Sequence, residues 1–147
     1  MTKQETYQTL LPQIESLVAG ETDAIANMAN VAAALHEAFG FWWTGFYRVE
    51  GQQLVLGPFQ GPIACTRIPY GKGACGTAWQ RAETVIVPNV HEFAGHIACS
   101  SASNSEIVVP ILRDQQVIAV LDIDSKDFNT FDEVDKCYLK QISQQIA

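Results

Sequence analysis

Residues 106–124, EIVVPILRDQQVIAVLDID, contain two runs rich in β-branched and other apolar side chains. The runs extend from Glu106 to Leu112 and from Val117 to Asp124. The polar residues Arg113 to Gln116 between them favour a turn. This stretch therefore predicts a β-hairpin of two adjacent antiparallel strands.

The segments outside the hairpin add strands before it and helices at both ends. Further strands are predicted at Trp43 to Arg48, Gln53 to Leu56, Cys65 to Pro69 and Thr84 to Val87. Helices are predicted at about Glu5 to Val18, at Thr22-Asp23 to Gly40, at Cys75 to Ala82, and from about Thr130 onward. We therefore predict one α+β domain over residues 1–147, with a central antiparallel sheet and the N- and C-terminal helices packed on one face.

The composition excludes several classes of protein. The 147 residues are 48% apolar and 10% aromatic, which excludes a disordered chain. A formal net charge of −7 with scattered basic residues argues against a nucleic-acid partner. The segment Met1 to Glu5 lacks the features of a signal peptide, and no apolar stretch approaches the ~18 residues of a membrane helix. We expect a cytoplasmic protein without a membrane partner, in which cysteines do not form a structural disulfide framework.

Two of the four cysteines, Cys65 and Cys99, lie in segments that predict loops. Each closes an apolar-Ala-Cys triplet, and both surroundings are rich in Gly, Pro, Ser and His. A cysteine kept for packing usually lies inside an apolar element, whereas one at a loop edge beside histidines can ionise and react. The loop from Pro88 to Ser105, which contains Cys99, is long enough to favour a functional role. The pair indicates thiol chemistry.

The other two cysteines lie in predicted helices. Cys75 follows the glycine turn Gly71-Lys72-Gly73, where a helix N-terminus lowers the pKa of a thiol. A redox role and simple packing are equally supported for it. Cys137 lies among apolar positions of the C-terminal helix and is interpreted as structural.

A zinc site is a weaker alternative for the same region. Its ligands would be His91, His96 and Cys99, completed by Cys65 or Cys75. The sequence contains no closely spaced Cys-x-x-Cys or His-x-x-x-His pair, so no metal is expected.

Two aspartates end the last predicted strand. Asp122 and Asp124 are two residues apart and project from one strand face, where each raises the pKa of the other. Such a pair can hold a proton near neutral pH and donate it, although two solvated aspartates are an equally supported interpretation. An even-numbered loop places Glu106 opposite Ile123, and an odd loop or a bulge, which Pro110 would signal, places it opposite Asp124. From the residues alone, a plain charge at the strand edge is favoured for Glu106.

An aromatic run, Trp42 to Tyr47, covers most of the first predicted strand. Aromatic side chains on a strand most often belong to the core. Trp43 and Tyr47 lie on one strand face and are candidates to line an apolar pocket.

Taken together, these stretches resemble the free-methionine-(R)-sulfoxide reductases, enzymes built on a GAF domain. The matching segments include WTGFY at 43–47, LVLGPFQG at 54–61, IAC at 63–65, GACGTA at 73–78, GHIAC at 95–99, SNSEIV at 103–108 and VLDIDS at 120–125. They follow one another over nearly the whole chain. The resemblance therefore implies a GAF-like fold and an oxidoreductase.

The resemblance implies a role for three thiols. Cys99 would be the catalytic cysteine, Cys65 the resolving one, and Cys75 an auxiliary thiol in recycling. A thiolate would attack the sulfoxide sulfur while an acid protonates the departing oxygen. The resulting Cys99 sulfenic acid would condense with Cys65, and thioredoxin would reduce the disulfide. No metal or organic cofactor would be required.

The resemblance also implies how the substrate is held. Trp43 and Tyr47 would form the pocket for its methyl group. The sulfoxide oxygen and the polar end would be bound by three carboxyl side chains, those of Glu106, Asp122 and Asp124. A cytosolic homodimer is implied as well. Ser100 departs from the family, which usually has Asp after the catalytic cysteine, and a GAF domain that only senses a small ligand is the alternative.

Overall fold

In the computed structural model, which describes residues 1–96 and 102–147, six strands of the described chain form one antiparallel sheet. The strands are β1 (Trp43–Glu50), β2 (Gln53–Gln60), β3 (Arg67–Pro69), β4 (Val85–Val87), β5 (Ser105–Arg113) and β6 (Gln116–Ser125). Their order across the sheet is β3-β2-β1-β6-β5-β4. The predicted hairpin of β5 and β6 is confirmed. Strand β6 also pairs with β1, which forms a second hairpin with β2, so the two hairpins make one sheet.

Three helices lie on one side of this sheet. They are α1 (Lys3–Val18), α2 (Ala24–Phe39) and α4 (Glu133–Gln144). The predicted limits of α2 are confirmed, since the Asp23 side chain accepts a hydrogen bond from the Ala26 amide and Gly40 ends the helix with a φ of 66°. The predicted α+β class, with terminal helices on one face, is confirmed. No helix in the described ranges has both the length and the apolar character needed to cross a membrane.

The two faces of the sheet support two separate apolar cores. Alternate residues such as Phe46 and Leu121 pack beneath α1, α2 and α4. The residues between them, including Tyr47 and Val120, face the opposite side, where the short helix α3 (Gly73–Arg81) packs. The candidate site lies on this second face.

The strand register answers the question that the sequence left open for Glu106. Glu106 lies opposite Asp124, and Val108 lies opposite Asp122. All three carboxyl-bearing residues therefore share a face of the sheet. Glu106 is only 7% exposed, so the favoured interpretation as a charge at the strand edge was wrong.

A β-bulge produces this register. The turn holds two residues with positive φ, Asp114 at 53° and Gln115 at 66°. Beyond Ile111 the pairing advances two residues on β6 for one on β5, so Ile118 is an extra residue. Pro110 pairs regularly with Val120, so the predicted bulge exists but lies on the other strand.

Some predicted details differ from the structure. Strand β2 continues to Gln60 rather than ending at Leu56, and α4 begins at Glu133 because Asp132 caps it. Cys137 is an exposed free thiol, so its interpretation as a structural residue was wrong. Its position is off the face of α4 that buries Leu139 and Ile142.

Candidate active site

A cavity lies between the start of α3 and the face formed by β1, β5 and β6. The sequence-predicted residues that line it are Trp43, Tyr47, Cys75, Glu106, Asp122 and Asp124. The folded chain therefore brings together aromatic side chains, carboxyl groups and a thiol that lie far apart in the sequence. Cys99 and Ser100 lie outside the described residues.

The aromatic wall of the cavity depends on a glycine. Trp43 stacks on Tyr47 with ring centroids 5.9 Å apart and on Phe59 at 5.3 Å. Gly45 lies between Trp43 and Tyr47 on β1, and a Cβ there would be 2.4 Å from the Phe59 Cβ and 2.6 Å from the indole. The Trp43 Nε1 donates a hydrogen bond to the Pro62 carbonyl at 3.1 Å, which fixes the indole. The result is a flat apolar surface suited to a small apolar group.

The carboxyl cluster, formed by Glu106, Asp122 and Asp124, lies beside this wall. Glu106 and Asp122 are buried, and Asp124 is partly buried. Burial, and secondarily the charge of Asp124, raises the pKa of Asp122 to about 7. Burial is also the main cause that raises the pKa of Glu106 and of Asp124 well above their usual range, each reinforced by a neighbouring carboxylate. The predicted direction is confirmed, with burial a larger cause than mutual repulsion. The cluster therefore holds protons near neutral pH.

Cys75 faces the same cluster from the first turn of α3. Its side chain is 4% exposed, and burial followed by the charge of Asp122 raises the pKa of the thiol well above its usual range. The expectation that the helix N-terminus lowers this pKa was wrong, because burial and three nearby carboxyl groups outweigh the helix dipole. The auxiliary redox role of Cys75 remains a prediction.

Cys65 is half-buried at the edge of the aromatic wall. The Tyr47 hydroxyl donates a hydrogen bond to the Cys65 carbonyl at 2.9 Å, so one pocket residue positions the backbone of this cysteine. The pairing of Cys65 with Cys99 stays a prediction, since Cys99 lies outside the described ranges.

Several lining residues were not assigned to a pocket from the sequence. The Ser103 hydroxyl lies 3.4 Å from the Asp124 Oδ1, and His96 and Lys72 also line the cavity. Ile63, 90% exposed, lines it as well. The length of the predicted loop Pro88 to Ser105 favours a functional role, but no periodicity in its sequence indicates which side chains turn inward.

The zinc set considered from the sequence is not assembled by the described residues. The His91 Nε2 lies 2.9 Å from the Asn104 Oδ1, so this ring is held by the loop. Within residues 1–96 and 102–147, the group with metal-ligating spacing is instead Cys75, Glu106 and Asp122.

Comparison with known proteins identifies the fold and the family. Residues 19–147 match the GAF domain family. GAF domain-containing protein A of Dictyostelium discoideum is 60% identical over 141 residues, which cover 95% of this chain and 89% of that protein. The free methionine-R-sulfoxide reductase of Escherichia coli K12 is 49% identical over 147 residues, 99% of this chain and 89% of that enzyme.

This chain is also similar to a solved structure of a reductase. The X-ray structure of free methionine-R-sulfoxide reductase from Neisseria meningitidis, in complex with its substrate, has a TM-score of 0.97 and 53% identity, covering 99% of this chain and 89% of that one. The fold and the match to the family together show that the protein is a GAF domain. Because both reductases match over almost their whole length, the chain belongs to the free-methionine-(R)-sulfoxide reductase family.

Proposed function

We propose that this protein reduces free methionine-(R)-sulfoxide to methionine. The observation that carries the proposal is the cavity, in which a flat aromatic wall adjoins a largely buried carboxyl cluster that holds protons near neutral pH. Methionine sulfoxide carries an apolar methyl group and a basic oxygen on the same sulfur. The aromatic wall suits the methyl group, and the carboxyl cluster suits the oxygen. The named activities of the Escherichia coli and Neisseria meningitidis relatives support the same substrate.

In the proposed reaction, the Cys99 thiol attacks the sulfoxide sulfur while the methyl group rests against Trp43 and Tyr47. A protonated member of the carboxyl cluster donates a proton to the departing oxygen. The substrate S–O bond breaks, the oxygen passes as a hydroxyl group to the Cys99 sulfur, and methionine leaves with its sulfur reduced. The proton that Cys99 loses returns to the carboxyl cluster, and Cys99 is left as a sulfenic acid. His96 and Ser103, the nearest described residues in the chain that line the cavity on either side of Cys99, support its assignment to this site.

In the proposed recycling, the Cys65 thiol condenses with the sulfenic acid, and water leaves as a disulfide forms. Thioredoxin then reduces this disulfide by thiol exchange. The contact between Tyr47 and the Cys65 backbone supports a position for Cys65 next to the substrate. Cys75 would act as an auxiliary thiol only after the cavity opens, because it is buried. We further propose a cytoplasmic homodimer, on the resemblance to the family alone.

The test is turnover of separated epimers. Purified protein with dithiothreitol, or with thioredoxin and its reductase, receives the R or the S epimer of free methionine sulfoxide, and methionine is measured. We expect consumption of the R epimer, no reaction with peptide-bound sulfoxide, and loss of more than 99% of activity in Cys99→Ser. Cys137→Ser is the matched control, since that thiol is exposed on α4, and it should keep full activity. Consumption of neither epimer, or a fully active Cys99→Ser, contradicts the proposal.

A further inference from the structure

Three buried side chains in the cavity have the spacing of metal ligands. The Cys75 Sγ and one carboxylate oxygen each of Glu106 and Asp122 lie within 4.8 Å of one another. Around a tetrahedral zinc ion, with bonds of about 2.0–2.3 Å, ligand atoms are roughly 3.3–3.8 Å apart. Small side-chain rotations therefore suffice to enclose an ion.

A second observation points to a missing partner at this place. The Asp122 Oδ1 is buried and accepts no hydrogen bond from the described part of the chain. Asp122 is 5% exposed and lines the cavity, so this oxygen has little access to solvent. A buried carboxylate oxygen without a partner is costly unless a proton, a donor or a cation satisfies it.

We propose that Cys75, Glu106 and Asp122 bind one thiophilic divalent cation, Zn²⁺ or Cd²⁺, inside the cavity. A thiolate with two carboxylates suits these borderline and soft ions better than Mg²⁺ or Ca²⁺, which prefer oxygen ligands alone. The backbone supports the arrangement, since Glu106 and Asp122 lie on paired strands and Cys75 is in the first turn of α3 above them. A water molecule would complete the tetrahedron.

Binding exchanges protons for the metal without any redox change. The Cys75 S–H bond breaks, its proton passes to the buffer, and an Sγ–metal bond forms. Protons held by the carboxyl groups leave in the same way. If the proposed function holds, the ion takes the place of the sulfoxide oxygen, so it inhibits competitively and a chelator restores activity.

The experiment measures binding of the metal alone, without turnover. Cys65, Cys99 and Cys137 are replaced by Ser, so that Cys75 is the remaining thiol, and the protein is titrated with Cd²⁺ and with Zn²⁺. We expect one ion per chain, a thiolate-to-Cd²⁺ charge-transfer band, and calorimetric heats whose buffer dependence reports release of at least one proton.

Variants in the same background locate the site. Adding Cys75→Ser should abolish the charge-transfer band, and Asp122→Asn or Glu106→Gln should each weaken binding at least tenfold. Asp114→Asn, in the exposed turn of the same hairpin, is the matched control and should leave the affinity unchanged. Circular dichroism checks that each variant is folded. Absence of saturable one-to-one binding, or a folded Asp122→Asn that binds as tightly as the background protein, overturns the proposal. Because no sulfoxide is present, this result is independent of the turnover assay.

Discussion

At the scale of single residues, Asp122 links the chemistry of the cavity to the stability of the protein. Its carboxyl group is buried on β6 beside two others, and its pKa rises from 3.8 to about 7 on folding. A raised pKa means that the folded state binds the proton more tightly than the unfolded state. The stability that this proton provides is complete below about pH 4 and is lost as the pH rises through about 7.

We therefore predict that Asp122→Asn flattens the pH dependence of stability. Wild-type protein should lose free energy of unfolding between pH 4 and pH 8, by up to about 4 kcal/mol from Asp122 if its whole pKa change is expressed. The variant should lose clearly less, since within the carboxyl cluster Glu106 and Asp124 alone still contribute, and the other titrating groups are the same in both proteins. Urea unfolding under reducing conditions at several pH values measures this, with Asp114→Asn as the exposed control. Equal slopes for wild type and Asp122→Asn would contradict the assigned pKa.

At the scale of elements, strand β1 positions the aromatic wall through the absence of a side chain at Gly45. A methyl group there would overlap the Phe59 Cβ at 2.4 Å and the indole at 2.6 Å. Something must move: the indole can shift within the cavity, whereas the Phe59 Cβ is bonded directly to the backbone of β2. The stack of Trp43 on Tyr47 therefore depends on this glycine.

We predict that Gly45→Ala displaces the indole of Trp43. The KM for free methionine sulfoxide should rise about tenfold, and stability should fall by about 1–3 kcal/mol, a typical cost of overpacking. Near-UV circular dichroism should lose the signal of the Trp43–Tyr47 stack, which checks the structural effect without an activity assay. Thr44→Ala, next along β1 and buried on the opposite face of the sheet, is the control. An unchanged near-UV spectrum and an unchanged KM for Gly45→Ala would show that the wall does not depend on Gly45.

Among the helices and strands, those with local signals in the sequence could be predicted. Helix α2 and the hairpin of β5 and β6 followed from local signals, namely a capping residue, a terminal glycine and two apolar runs about a turn. The position of Glu106 did not, because one extra residue, Ile118, shifts the register and lies in an ordinary apolar run. The pKa of Cys75 was mispredicted for a related reason. The helix N-terminus is visible locally, whereas burial against β6 is a property of the tertiary fold.

At the scale of the whole molecule, the terminal helices are joined by a buried polar cluster on the face opposite the cavity. Asp135 of α4 is 1% exposed and accepts hydrogen bonds from the Tyr7 hydroxyl and the Lys3 ammonium of α1, each at 2.6 Å. It also accepts one from the Asp132 amide at 2.9 Å. This carboxylate both caps α4 and attaches it to the start of the chain.

We predict that Tyr7→Phe lowers the free energy of unfolding by about 1–3 kcal/mol, because the Asp135 carboxylate loses one donor while it stays buried. The KM for free methionine sulfoxide should change less than twofold, since the cluster and the cavity lie on opposite faces of the sheet. In the double variant Tyr7→Phe/Asp122→Asn, the change in the free energy of unfolding should equal the sum of the two single changes to within about 0.5 kcal/mol, as expected for sites without shared partners. Urea unfolding of the two single variants and the double variant closes this cycle. A coupling above about 1 kcal/mol would mean that the two cores communicate through the sheet, and the separation of stability from substrate binding would then be wrong.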